Sequence, residues 1–188
     1  MYIAIEGIDN SGKTTLIRKL KENLDAEFVK EPTPALSSFI ERVKKLDHPD
    51  ENNILINLFA ADRLLLKPII NLAKKEGKHI ISDRSKFSSF AYQGQDSFAY
   101  NGVVNNNMPD PDLIFYLKIS PEESAKRGFT PGDKFENLEF LTRVKEIFEG
   151  PIKQYCLRND IQFIEIDAMR DEDEIFSEVM NVMGGLEC

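Results

Sequence analysis

Apolar positions along this chain follow two alternating rhythms, short unbroken runs and stripes at helical spacing. Tyr2-Ile-Ala-Ile-Glu6 is a run of strand length, and Leu16, Ile17, Leu20 and Leu24 recur after it near a helical period. That spacing predicts a helix opening at Thr14 or Thr15 with one buried stripe. Phe28 and Val29 predict a short strand, and Pro32 and Pro34 mark its exit as a rigid loop. Leu36, Phe39, Ile40 and Val43 stand at i, i+3, i+4 and i+7, the pattern of an amphipathic helix, which Asp47-His48-Pro49-Asp50 breaks. A longer helical pattern from Asn53 to Ala73 contains Pro68, which predicts a kink or a break, and Gly77 is placed to cap its end.

The second half repeats the alternation. The short run from His79 to Asp83 reads as a strand, Ser88 to Tyr92 as a helix, and the Asn-, Gly- and Pro-rich stretch from Asn101 to Asp112 as a loop. Leu113 to Ile119 is a continuous apolar run of buried-strand length. Ser120-Pro121-Glu122-Glu123 opens a helix, with a serine cap, proline at its first position and acid in its first turn. Residues 126–134, with three bases, two glycines and a proline but little apolar content, read as a basic lid extending to about residue 136. Leu141, Val144, Phe148, Ile152 and Tyr155 then share a helical face that Gly150-Pro151 should bend or interrupt. Gln162 to Asp167 is the last strand, and Ile175, Phe176, Val179, Val182 and Met183 form the last helix. Strands alternating with helices predict an α/β fold, a mainly parallel sheet with helices on both faces and a ligand at the carboxyl ends of the strands. No internal repeat or linker is found, so one domain spanning 1–188 is expected.

Between the first strand and the first helix, Gly7 to Thr14 reads G-x-x-x-x-G-K-T, the phosphate-binding loop pattern in the context it needs. Glycines allow close approach of the backbone, and the amides of Asn10, Ser11, Gly12, Lys13, Thr14 and Thr15 with the helix start can face a polyphosphate. Lys13 adds positive charge, and the Thr14 hydroxyl is placed to hold Mg²⁺. A nucleotide such as ATP is the expected ligand. Asp83, ending a strand, can serve the metal as a second oxygen donor. Arg63, Arg84 and the lid bases, Arg127 among them, have the charge to surround two anionic substrates, and Phe59 offers an aromatic face one turn before Arg63.

Composition narrows the picture. A formal net charge of −8 argues against general affinity for nucleic acid. No apolar stretch is long enough to span a bilayer and no export signal opens the chain, so no membrane association and a cytoplasmic location are expected. Cys156 and Cys188 provide no disulfide framework, and His48 and His79 have no clustered metal-ligating neighbours. Neither an N-K-x-D signature nor a D-x-x-G switch is present, which removes the guanine-reading switch proteins.

Several separated segments together resemble the thymidylate kinase family. Ile5-Glu6-Gly7-Ile8-Asp9 through Gly12-Lys13-Thr14-Thr15 is similar to its E-G-x-D-x-x-G-K-T-T opening, and Lys30-Glu31-Pro32-Thr33 to its R-E-P-G segment. Leu58-Phe59-Ala60-Ala61-Asp62-Arg63 resembles its L-F-A-A-D-R helix. Asp83-Arg84 through Ser89 to Ala91-Tyr92-Gln93-Gly94 resembles its D-R-Y…S…A-Y-Q-G stretch, and Asp133-Lys134-Phe135-Glu136 its D-R-F-E. The resemblance implies a P-loop kinase that transfers the γ-phosphoryl group of ATP to dTMP with Mg²⁺, as a homodimer. It also implies that Phe59 stacks on thymine and Arg63 bonds its edge. By the same resemblance Arg84 would contact the substrate phosphate, Asp9 would lie near the sugar and the reacting phosphates, and Tyr92 would crowd the 2′ position. Glu31 and Ser89 would complete the substrate set that the resemblance implies, and Lys13, Asp9, Arg84 and Arg127 the catalytic one. Three positions differ from the family pattern: Lys30 stands for arginine, Thr33 for glycine, and Ser85 for an aromatic residue. Two other readings stay open, a kinase for another nucleoside monophosphate or deoxynucleoside, and a nucleotide-binding regulatory module without turnover.

Overall fold

The computed structural model describes residues 1–94, 98–129, 135 and 137–185. Five strands form one parallel sheet in the order β2-β3-β1-β4-β5: β1 Tyr2–Glu6, β2 Glu27–Lys30, β3 Ile80–Asp83, β4 Leu113–Lys118 and β5 Gln162–Asp167. Burial explains the order. Every residue of β1 and β3 and the first five of β4 are buried, so these apolar runs occupy the middle of the sheet, covered on both faces. β2 and β5 keep exposed positions and lie at the edges. In register, Ile5 pairs with Asp83 on one side and Phe115 on the other, which brings the ends of β1 and β3 together.

Nine α-helices surround the sheet among the described residues: α1 Lys13–Asn23, α2 Ser37–Val43, α3 Glu51–Lys75, α4 Lys86–Gln93, α5 Phe98–Asn105, α6 Pro121–Lys126, α7 Leu138–Ile147, α8 Lys153–Arg158 and α9 Glu172–Gly185. Leu16, Ile17 and Leu20 of α1 join Ile3, Ile5, Phe115, Val144 and Val179 in the main core. Ser120 caps α6 as expected, accepting from the Glu123 N–H at 3.2 Å. Gly77 takes φ 70° after α3, and the Lys78 N–H returns to the Ala73 carbonyl at 2.9 Å, the expected cap.

Three expectations change. Of the kink or break expected at Pro68, the break is absent: α3 runs from Glu51 to Lys75 with Pro68 inside it. Pro68 and Leu64, whose carbonyl loses its partner, are on the exposed side, where water can take that bond. Asn101–Asp112 is not wholly loop, because α5 extends to Asn105 and buries Asn101 and Asn105 in polar contacts that composition does not reveal. On α2, Phe39 is exposed although it falls on the predicted stripe, and only Ile40 and Val43 of that stripe are fully buried. The interruption expected at Gly150-Pro151 is a single wide π-helical turn, Phe148–Ile152, that joins α7 to α8 without ending the helical run.

Candidate active site

The loop from Gly7 to Gly12 lies between the end of β1 and the start of α1. Gly7 has φ 150°, and a Cβ there would meet Ser11 Oγ at 2.7 Å and the Leu117 carbonyl at 2.8 Å, so only glycine fits. The Leu16 N–H donates to the Gly12 carbonyl at 3.1 Å, and the N–H groups ahead of it at a helix start have no acceptor within the helix. Lys13 is buried, and its Nζ donates to the Gly7 carbonyl (3.0 Å), the Ile8 carbonyl (2.7 Å) and Ser11 Oγ (3.3 Å). Burial, then the nearby Arg84, pulls its pKa down to about 7. From behind, Ser124 Oγ of α6 donates to the Asp9 carbonyl at 2.7 Å, and Arg127 Nη1 to the Asn10 carbonyl at 3.3 Å.

Two cavities open over the carboxyl ends of the strands. The first is lined by the phosphate loop from Asp9 to Thr15 with Lys30, Asp83, Arg84 and Arg127. The second is lined by Phe59, Arg63, Glu31, Ser89, Tyr92 and Gln93 among others, again with Asp9 and Arg84. Asp9 and Arg84 therefore form the wall common to both. Arg84 Nη2 donates to Asp9 Oδ1, Tyr92 Oη donates to Asp9 Oδ2 at 3.1 Å, and the Arg84 guanidinium lies 5.0 Å over the Tyr92 ring. Burial alone would raise the Asp9 pKa, but Arg84, Lys13 and the Tyr92 hydroxyl outweigh it and hold the carboxyl below its ordinary value. Arg84 itself sits at φ 76°, unusual for a residue with a side chain, at the turn from β3 into α4.

Arg63 is 1 % exposed and forms the floor of the second cavity. Its Nε donates to Glu31 Oε2 at 2.6 Å and its Nη2 to Ser89 Oγ at 2.7 Å. Burial raises Glu31 to about 7, although Arg63 acts in the opposite direction. The differences from the family pattern acquire contacts. Ser85 caps α4 and donates to Oε1 of the buried Glu6 at 2.7 Å, with Ser88 donating to Oε2 at 2.7 Å. Thr33 donates its N–H to Asp62 at 2.8 Å and adds a hydroxyl bond to the same carboxylate that glycine lacks. Lys30 Nζ pairs with Asp83 Oδ2 at 3.3 Å from an exposed position.

All the site residues expected from the sequence thus surround these two cavities or, for Gly7, shape the loop beneath them. Residues 130–134 and 136 of the expected lid lie outside the described residues. Sequence reasoning missed three groups. Gln93, buried in the cavity wall, sits in the quoted A-Y-Q-G stretch, and Lys44 lies one turn after Ile40 at the C-terminal cap of α2, so motif and spacing pointed at both. Asn105 gave no signal, because its stretch read as loop. Among the described residues no group of three His, Cys, Asp or Glu side chains gathers as a metal cage, and no helix is long and apolar enough to cross a membrane.

Comparison with known proteins places this geometry. A family model described as thymidylate kinase matches residues 5–179. A probable thymidylate kinase from Methanosphaera stadtmanae is 37 % identical over 193 residues, covering 96 % of each chain. Another, probable thymidylate kinase 1 from Saccharolobus solfataricus, is 34 % identical over 191 residues, covering 96 % of this chain and 95 % of its own. The solved structure of a thymidylate kinase from Candida albicans has the same fold, with a TM-score of 0.81 at 24 % identity over 99 % of this chain and 92 % of that one.

Proposed function

The chain belongs to the thymidylate kinase family and catalyses ATP-dependent phosphorylation of dTMP, and from that premise we propose that the two cavities are its donor and acceptor sites and that Asp9 and Arg84 stand where the phosphoryl group crosses. The shared wall carries this reading. A donor γ-phosphate on the loop and an acceptor phosphate beside Arg84 meet across two side chains that both cavities possess, and positioning with charge neutralisation is most of what phosphoryl transfer requires.

In this scheme the loop amides and Lys13 hold the β- and γ-phosphates, and Arg127 faces them from the end of α6. Arg84 binds the acceptor phosphate, Asp9 holds Arg84 and Tyr92 in place, and the Tyr92 ring stands beside the sugar. Phe59 stacks on thymine while Arg63 and Ser89 meet its edge, with Glu31 behind. The adenine lies in the adjoining cleft formed by Gly12, Thr15, Leu117, Arg127, Ala168 and Arg170. The family implies Mg²⁺, and the hydroxyl of Thr14 with the carboxylate of Asp83 is the hard-oxygen set that ion takes, one carboxylate being normal where substrate phosphates supply other ligands. When bound there, the ion supplies charge neutralisation for the phosphates. The chain works as one kinase domain over 1–188, with residues 126–136 as its lid and the cytoplasm as its compartment. A homodimer is supported by the outer face of α3, where Leu64, Leu65, Ile69 and Leu72 are exposed together.

Turnover with ATP and a panel of nucleoside monophosphates tests the assignment: dTMP should be preferred, and equal or better use of a purine monophosphate would overturn it. Lys13 gives a second test. An ammonium with a pKa of about 7 is mostly neutral at pH 8, and a polyphosphate brought against it raises that pKa. ATP binding at pH 8 should then take up roughly half to one proton, read by calorimetry in buffers of different ionisation enthalpy. Lys13→Met should abolish the uptake, and identical buffer dependence in the two proteins would remove Lys13 from the phosphate site.

A further inference from the structure

Asn101 and Asn105 lie one turn apart on α5, 0 % and 1 % exposed, behind the acceptor cavity. Asparagine is mostly a surface residue, and a buried amide needs partners for both its ends. Asn101 Nδ2 donates to the Ser89 carbonyl at 2.6 Å, which leaves Asn101 Oδ1 for the neighbouring turn. Asn105 Nδ2 donates to that Oδ1 at 2.7 Å and to the Asn101 backbone carbonyl at 3.0 Å. With its nitrogen engaged there, Asn105 turns its oxygen to Arg63, whose Nη1 donates to it at 2.6 Å. The series has a direction. Reversing either amide would set an N–H against another donor.

Arg63 is held on its other sides as well. Nε donates to Glu31, and Nη2 to both Ser89 Oγ and, at 3.4 Å, the Ser85 carbonyl. Of the five N–H donors of a guanidinium, one on Nη1 is left for a ligand. We propose that Asn105, itself oriented by Asn101, is a positioning residue that fixes which Arg63 N–H faces the base, and so makes the site choose a pyrimidine with a carbonyl at C4 over one with an amino group. The proposal rests on the base-site reading above. Thymine offers an acceptor where cytosine offers a donor, and a donor that cannot rotate accepts the first and opposes the second. A guanidinium free to turn could offer another edge and would lose that difference.

The test compares kcat/KM for dTMP and dCMP at saturating ATP. Wild-type protein is measured first, and failure to use dTMP would sink the base-site reading itself, before any variant is made. Asn105→Ala should raise KM for dTMP about tenfold and lower the dTMP-to-dCMP preference by a similar factor, with KM for ATP within about twofold, one lost charged hydrogen bond being of that order. Asn105→Asp keeps an acceptor toward Arg63 but sets its second oxygen against Asn101 Oδ1 and the Asn101 carbonyl, so KM for dTMP should fall between that of Asn105→Ala and that of wild type. Asn101→Ala, which contacts neither Arg63 nor the cavity, should shift the same two quantities in the same direction by a smaller factor. If Asn105→Ala does not fold, Asn101→Ala carries the comparison. An unchanged dTMP-to-dCMP preference in a folded variant, with Asp no better than Ala, would overturn the proposal and leave both asparagines as packing groups.

Discussion

Replacing Lys13 by Met should lower kcat by about 10²-fold or more while the protein stays folded. The ammonium is the one positive charge rooted in the phosphate loop itself, and its present partners, two loop carbonyls and Ser11 Oγ, are ones it can leave when a phosphate offers full negative charge. Methionine keeps the length of the side chain and its apolar stem but carries no charge. Because burial already weighs against the charged form of Lys13, the substitution should cost little stability even though it strands two carbonyls. Single-turnover rates at saturating ATP and dTMP, with Tm measured alongside, decide the matter. A variant that turns over near the wild-type rate would take the loop out of the chemistry.

Arg63→Ala should act on binding and on stability together. Losing its contacts should raise KM for dTMP by roughly 10- to 100-fold, equivalent to about 1.5–3 kcal/mol for a hydrogen bond to a charged group, with KM for ATP nearly unchanged. It also removes the partner of a buried carboxylate, a class of change that costs about 3–5 kcal/mol. Protonation of Glu31 offsets part of that, and pH exposes it. Folded Glu31 has a pKa of about 7 against an ordinary 4.5, so above pH 4.5 the folded state binds more protons than the unfolded one and stability falls as pH rises. Without Arg63 the folded pKa goes higher, so Tm of Arg63→Ala should drop more steeply than that of wild type between about pH 5 and 8. Adding Glu31→Gln should flatten the curve. Parallel Tm profiles for wild type and Arg63→Ala, with unaltered dTMP kinetics, would reduce the Glu31–Arg63 pair to a structural bond without bearing on the substrate.

What the sequence made legible follows from the range of the interactions involved. The phosphate loop is local, so eight consecutive residues and the elements on either side of them declare it. The central strands are equally plain, because positions covered on both faces are mostly apolar, as the first four of β1 and the first five of β4 are. Phe59 and Arg63 shared a helical face and could be paired by spacing alone. Asn101 and Asn105 could not. Their composition favours a loop, and what keeps them helical and buried is bonding to Ser89 on α4 and Arg63 on α3, contacts between residues far apart in the chain. The break that Pro68 allowed for is absent for a related reason: the rule against proline inside a helix assumes the broken bond matters, and on a solvent-facing side it matters less. Ser85 stood out only as a difference from the family pattern, and the fold shows the buried Glu6 carboxylate to which it donates.

One helix, α3, carries Phe59 and Arg63 toward the second cavity and presents Leu64, Leu65, Ile69 and Leu72 outward, in 25 unbroken residues. If a second copy of the chain seats on that outer face, self-association and dTMP binding share a rigid element and become thermodynamically linked. Linkage is reciprocal: whatever factor the dimer adds to dTMP affinity, dTMP adds to dimer affinity. Where that factor exceeds one, half-saturation by dTMP would shift with protein concentration, and dilution alone would act as an inhibitor.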